Sequence, residues 1–256
     1  MTPDTLPDSA FATELDTRLQ QRLDRQTKPP GSLGRLEALA MQMARVWGTD
    51  TPRIDSPQLV VFAADHGLVA QGVSAYPAEV TPQMLSNMLA GGAAVSVLAR
   101  QHGLALTLVD CGVAVDLAPH PQLVRAKVRH GAADSSRGPA MSAAERDAAV
   151  RHGAALVERL PGNVLLLGEM GIGNTSAAAL LMARLTGLAV ADCTGRGTGL
   201  GAAGLAHKIA VLQRVLALHA EARAPLEALA AFGGLEIATM LGAVQAAVAA
   251  RRLIVV

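Results

Sequence analysis

Phe11, Leu15, Leu19 and Leu23 recur four residues apart along a segment otherwise dense in charge. That period places one apolar stripe on an amphipathic helix, and the stripe must pack on something else. The pattern stops before Lys28-Pro29-Pro30-Gly31, and a second stripe, Leu33, Leu36, Leu39, Ala40, Met43 and Trp47, follows Ser32, a candidate N-cap. The chain therefore opens with two helices before any strand. The continuous apolar run at 59–64 suits a parallel strand covered on both faces, and it ends in Asp65-His66-Gly67. Thr81-Pro82 predicts the start of a helix carrying Met84, Leu85, Met88 and Leu89, interrupted at Gly91-Gly92.

Residues 104–109 and 164–167 predict the second and third strands. Between them, Ser142 followed three positions later by Glu145 has the form of a capping box and opens a helix toward Arg159. Residues 177–185 read as helical and 188–191 as a short strand. Leu205, Ile209, Leu212 and Leu216 mark the face of a further helix. Two more helical patterns, at 226–231 and 235–250, lead to the run Leu253-Ile254-Val255-Val256. Alternation of strand and helix predicts a doubly wound α/β fold: a Rossmann-like, mostly parallel sheet with helices on both faces. The opening helices are expected to contribute to a small helical domain over 1–50, beside an α/β domain over 51–256.

Composition narrows the function classes. Apolar residues make up 51% of the chain but aromatic ones only 2%, so Ala, Leu, Val and Met fill the interior and base-stacking platforms for single-stranded nucleic acid are not expected. The 22 basic and 21 acidic residues are spread along the chain, which argues against a nucleic-acid stripe or a polybasic membrane anchor. Asp4, Asp8, Glu14 and Asp16 precede the first basic residue, Arg18, with no apolar core of a secretory signal. The longest purely apolar run, 177–183, is far too short for a membrane span, and a cytoplasmic location is expected. Cys111 and Cys193 are too few for a disulfide framework and read as buried thiols; no Cys or His pair has zinc-site spacing, so no metal is expected.

In an open α/β sheet ligands sit beyond the carboxyl ends of the strands, and three clusters fall there. Gly168-Glu169-Met170-Gly171-Ile172-Gly173-Asn174-Thr175-Ser176 follows the third strand, where glycines let backbone approach a ligand and a helix N-terminus favours an anion. It reads as a phosphate cradle or, equally, as an ordinary glycine turn with an Asn or Thr cap. Asp192-Cys193-Thr194-Gly195-Arg196-Gly197-Thr198-Gly199 adds Arg196 and, further on, Lys208; two cations near a glycine loop suit an anionic substrate, although a lone Arg in such a loop is as often solvated. Asp65-His66-Gly67 continues through Ser74 and Tyr76 to Gln83 and Met84. Asp65 is suited to a ribose hydroxyl or to loop support, and His66 reads as a structural histidine rather than a proton carrier. Gly199-Leu200-Gly201-Ala202-Ala203-Gly204 matches the G-x-G-x-x-G spacing of dinucleotide sites, but it does not directly follow a strand.

Taken together, Thr27-Lys28-Pro29-Pro30-Gly31-Ser32-Leu33-Gly34, Ala64-Asp65-His66-Gly67, Glu169-Met170-Gly171-Ile172-Gly173-Asn174-Thr175 and Gly195-Arg196-Gly197-Thr198-Gly199 resemble the nicotinate-nucleotide:dimethylbenzimidazole phosphoribosyltransferases. The resemblance covers nearly the whole chain and implies a homodimer that needs no metal or cofactor. It implies transfer of the ribose phosphate of nicotinate mononucleotide to a benzimidazole. It assigns Glu169, Gly171, Ile172, Gly173, Asn174, Gly195, Arg196, Gly197 and Lys208 to the nucleotide, and Ser74, Tyr76, Gln83, Met84 and Met170 to the base. The family's general base is a glutamate past the strand that begins at Leu253, beyond Val256, which leaves Glu169 an auxiliary catalytic part. A shortened form, an incomplete gene product and a degenerate, catalytically silent nucleotide-binding relative all fit that departure. A dinucleotide-dependent oxidoreductase using Gly199 to Gly204 is the remaining alternative.

Overall fold

The computed structural model describes residues 9–256; Asp4, Asp8 and the Phe11 side chain lie outside what it describes. Helix α1 (Ser9–Asp24) and helix α2 (Arg35–Trp47) form a hairpin with a small apolar cluster of their own, Leu15, Leu19 and Ala44, against which Met41 packs. Arg45 grips Asp16 with two hydrogen bonds of 2.8 Å, tying the helices across their exposed side. The predicted cap at Ser32 is not used. Gly34 takes the N-cap position instead, and Glu37 from the first turn accepts both the Leu33 amide and the Lys28 ammonium, so the turn is closed from inside the helix. Leu33, Leu36 and Leu39 of the predicted stripe remain 47%, 63% and 46% exposed. The buried contact falls on Ala44 instead, one turn further along.

Five parallel strands make the sheet: β1 (Gln58–Ala64), β2 (Ala105–Gly112), β3 (Leu123–Arg125), β4 (Val164–Met170) and β5 (Leu253–Val255). Their spatial order is β3-β2-β1-β4-β5, with β1 at the centre. Side chains along β1 alternate between faces as the pleat requires. Val60, Phe62 and Ala64 join a core under helices α5 (Ala143–Arg159), α9 (Pro225–Phe232) and α10 (Leu235–Ala249), while Val61 packs against the core under α3 (Val80–Leu89) and α4 (Ala94–Gln101). The sequence pattern misses β3, which has three residues and only Leu123 buried, too few to show a period.

Helices α5 and α10 make the most extensive helix–helix contact among the described residues. A Cβ on Gly153 would run into the Thr239 carbonyl and one on Gly242 into the Val150 carbonyl, so backbone meets backbone there. The predicted capping box is present: Ser142 accepts the Glu145 amide while Glu145 accepts the Ser142 amide. Helix α6 (Asn174–Thr186) follows β4, and α8 (Ala202–Leu218) buries Lys208, Val211, Leu212 and Val215, a stripe rotated from the predicted one. The strand expected at 188–191 is instead a single helical turn, α7 (Val190–Cys193). The position beside β4 is taken by β5, and Val190 is buried in the cluster shared by α6 and α8. Cys111 is buried as expected, but Cys193 is only half-buried.

Candidate active site

The ends of β1, β2 and β4 converge on one rim of the sheet, since β1 pairs with both of its neighbours in parallel. After β4 the chain turns through Gly171-Ile172-Gly173 into α6. Gly173 has φ +94°, a left-handed value that side chains resist, and a Cβ there would lie 2.5 Å from Val69 Cγ2. The turn is held from the side by Thr81, whose hydroxyl accepts the Ile172 amide at 3.0 Å. The Thr81-Pro82 pattern predicts a cap for α3. The helix starts two residues earlier, with Glu79 at the cap position, which leaves the buried Thr81 hydroxyl available to the turn.

Lys208 gives this turn its charge. The residue is 1% exposed, and its ammonium donates to Thr175 Oγ1 at 2.8 Å and to the Gly195 carbonyl at 3.4 Å, with no carboxylate paired to it among the described residues. Burial pulls its pKa below the ordinary lysine value. Ser74, Gly171, Gly173, Asn174, Thr175, Arg196, Gly197 and Lys208 surround a small cavity of about 30 Å³. Gly197, with φ +54°, brings its backbone so close that a Cβ would sit 3.3 Å from Thr175 Oγ1 and 3.7 Å from the ammonium. The amides of Asn174 and Ser176 already bond the Gly171 and Gly173 carbonyls. Attraction for an anion therefore rests on Lys208 and the dipole of α6 more than on a row of open amides. Arg196 is exposed and donates to the Leu200 carbonyl at 3.1 Å, and Gly195 has open space about it.

A larger cavity of about 560 Å³ adjoins the turn, lined by Asp65, His66, Ser74, Tyr76, Glu79 and His130 among others. Ser74 borders both cavities. Of the residues expected at a base pocket, Ser74 and Tyr76 line the larger space, whereas Gln83 is exposed on α3 and Met84 and Met170 pack toward the core under α3 and α4. Asp65 supports a loop: its carboxylate accepts the Ala114 amide at 2.7 Å, while burial pushes its pKa up.

Beneath the turn lies a pair that the sequence pattern does not predict. His66 Nε2 is 2.8 Å from Glu236 Oε1, with side chains 5% and 0% exposed. Burial disfavours the charged imidazole, but the Glu236 carboxylate outweighs it by charge and hydrogen bond, and the pKa of His66 is raised. Glu169, at the end of β4, accepts from the Asn174 side-chain amide. Desolvation raises its pKa, Glu236 raises it further, and His66 opposes the shift.

A family model described as "Phosphoribosyltransferase" matches residues 9–256. The chain belongs to this phosphoribosyltransferase family. It is 61% identical over 242 residues to the nicotinate-nucleotide–dimethylbenzimidazole phosphoribosyltransferase of Variovorax paradoxus (strain S110), a match covering 94% of this chain and 69% of that one. The protein of the same name from Cupriavidus necator is 55% identical, covering 94% and 71%. In three dimensions the chain is similar to CobT from Thermus thermophilus, with a TM-score of 0.89 at 41% identity, covering 94% of this chain and 73% of that one. These phosphoribosyltransferase relatives are longer than the 256 residues here.

Against the phosphoribosyltransferase fold the dinucleotide alternative fails on local structure. Gly199 to Gly204 follows the helical turn α7 rather than a strand. A dinucleotide fingerprint needs a strand directly before it. Glu236 is a member of the site that the sequence pattern does not single out; its trace there is an acidic residue at the start of a mostly apolar helical run. Thr81, read as a helix cap, and Thr175, read as part of the glycine cluster, instead serve the turn and Lys208.

Proposed function

We propose that the chain transfers the phosphoribosyl group of nicotinate mononucleotide to 5,6-dimethylbenzimidazole, giving α-ribazole phosphate and nicotinate. The observation that carries this reading is the buried Lys208 ammonium, unpaired by any carboxylate among the described residues, beside the glycine turn between β4 and α6. A buried cation without a counter-ion is costly unless a ligand supplies the anion. The nucleotide phosphate does so at the mouth of the Lys208 cavity, and Ser74, on the border of both cavities, connects phosphate to base.

In the reaction the bond from C1′ of the ribose to the pyridine nitrogen breaks and a bond from C1′ to a benzimidazole nitrogen forms. The other benzimidazole nitrogen loses its proton. The departing pyridinium takes the electron pair and leaves as neutral-ring nicotinate, so the demands on the protein are alignment, a grip on the phosphate and removal of one proton. Glu169, raised in pKa beside the turn, has the character of an auxiliary proton acceptor. The proposal assigns the main one to a glutamate outside the 256 residues given. A homodimer, a cytoplasmic location and a small domain over 1–50 belong to the same proposal; the separate apolar cluster of the α1–α2 hairpin supports the last.

Calorimetry with nicotinate mononucleotide and with nicotinate tests the reading, followed by incubation with dimethylbenzimidazole and chromatography for α-ribazole phosphate. We expect the nucleotide to bind at least about tenfold more tightly than nicotinate, a gain of roughly 1.4 kcal/mol or more. Equal affinities, with no product at high protein concentration, would sink it.

A further inference from the structure

The His66–Glu236 pair lies under the site, with His66 on the wall of the larger cavity and Glu236 wholly buried behind it. Glu236 stands in the first turn of α10, completely buried, and Oε2 has no hydrogen-bond partner among the described residues. Its helix is locked to α5 by the Gly153 and Gly242 contacts, so the carboxylate projects from a rigid support. The imidazole it holds lies under the glycine turn. A Cβ on Gly171 would be 3.2 Å from His66 Nε2, and one on Gly173 would be 3.3 Å from His66 Cβ. A Cβ on Gly234 would fall 2.5 Å from His66 Cε1, which closes the far side. The ring is thus clamped between α10 and the turn and can set the height at which Gly171 and Gly173 lie.

We propose that His66 and Glu236 are positioning residues for the nucleotide phosphate, the pair fixing the Gly171–Gly173 backbone relative to Lys208. This inference rests on the phosphate site assigned above. Two buried groups that complete only one hydrogen bond between them are a costly way to fill space, since hydrophobic side chains of similar volume usually do so as well or better. The cost is offset if the directed bond holds ring and turn in one register. Small displacements of a binding group are expensive to the ligand that depends on it.

The test uses the full chain with His66→Ala, His66→Gln and Glu236→Gln. His66→Gln keeps a donor near the Nε2 position and Glu236→Gln keeps an acceptor. Nicotinate mononucleotide and nicotinate riboside, which lacks the phosphate, are titrated in parallel, and hydrogen exchange of the 171–175 amides is followed without ligand. We expect His66→Ala to weaken the nucleotide by about 10-fold or more and the riboside by under about 3-fold, with faster exchange at 171–175, and the two Gln variants to recover most of both. Equal loss for nucleotide and riboside, or unchanged exchange in His66→Ala, would overturn the proposal, as would failure of His66→Gln to rescue when its thermal melt is intact. If the parent chain binds no nucleotide, the phosphate site itself fails. The exchange experiment then still decides whether the pair holds the turn.

Discussion

Thr81 and Ile172 stand 91 positions apart in the sequence and meet through one hydrogen bond, 3.0 Å from the Ile172 amide to the Thr81 hydroxyl. The start of α3 is thereby fastened to the turn that follows β4. Thr81→Val preserves shape and removes the acceptor, leaving a buried amide unsatisfied. The expected cost is about 1–3 kcal/mol in urea unfolding, with faster amide exchange at Ile172. An unchanged unfolding midpoint would show that the bond contributes nothing net.

Lys208 predicts opposite pH signatures for stability and affinity. Its folded pKa lies below the 10.5 of a free lysine, so between the two values the unfolded chain holds the extra proton. In that window the Lys208 contribution stabilises the ligand-free fold as pH rises. Nucleotide affinity moves the other way, because the phosphate needs the ammonium. Parallel melts and titrations across alkaline pH check this, with Lys208→Met as the variant in which both trends disappear.

Gly173→Val should lower nucleotide affinity while leaving nicotinate affinity largely intact. The left-handed φ of +94° costs any side chain, by about 1–2 kcal/mol, and the new Cβ meets Val69 Cγ2 at 2.5 Å, so the turn must shift. Calorimetry with both ligands reads the split. An equal loss for both would mean general misfolding rather than a displaced turn.

Gly153→Ala weighs two effects against each other. Alanine favours a helix interior over glycine by roughly 0.5–1 kcal/mol. The added methyl, however, runs into the Thr239 carbonyl, part of the α10 backbone, which cannot yield without separating the helices. Overpacking of this kind costs about 1–3 kcal/mol, so the sum is destabilising, and the melting temperature should fall by about 2–4 °C for each net kcal/mol. A melt at or above that of the parent would reverse the ranking of the two effects.

The sequence carried the parallel sheet and the glycine turn because both depend on local pattern. Continuous apolar runs make buried strands, and Gly171 and Gly173 punctuate a strand-to-helix junction. The Ser142–Glu145 box was legible for the same reason, as two residues three apart that bond each other. What escaped depends on partners far along the chain. Thr81 looks like a cap until Ile172 arrives, and nothing near Glu236 announces His66. Strand β3 and the turn α7 are too short for any period to register. The apolar stripe of α2 was real as a pattern, but Leu33, Leu36 and Leu39 stay largely exposed, and no periodicity says which neighbour a stripe will meet.

The separation of 170 positions from His66 to Glu236 also imposes an order in time. At synthesis rates of about 5–20 residues per second, the histidine leaves the ribosome roughly 10–30 s before its carboxylate exists. Once β4 emerges, late in that interval, β1, β2 and β4 can pair while the imidazole still has no anion beside it. A nascent chain should therefore pair its central strands before it gains affinity for nucleotide, and the ability to bind should appear abruptly when α10 docks on α5.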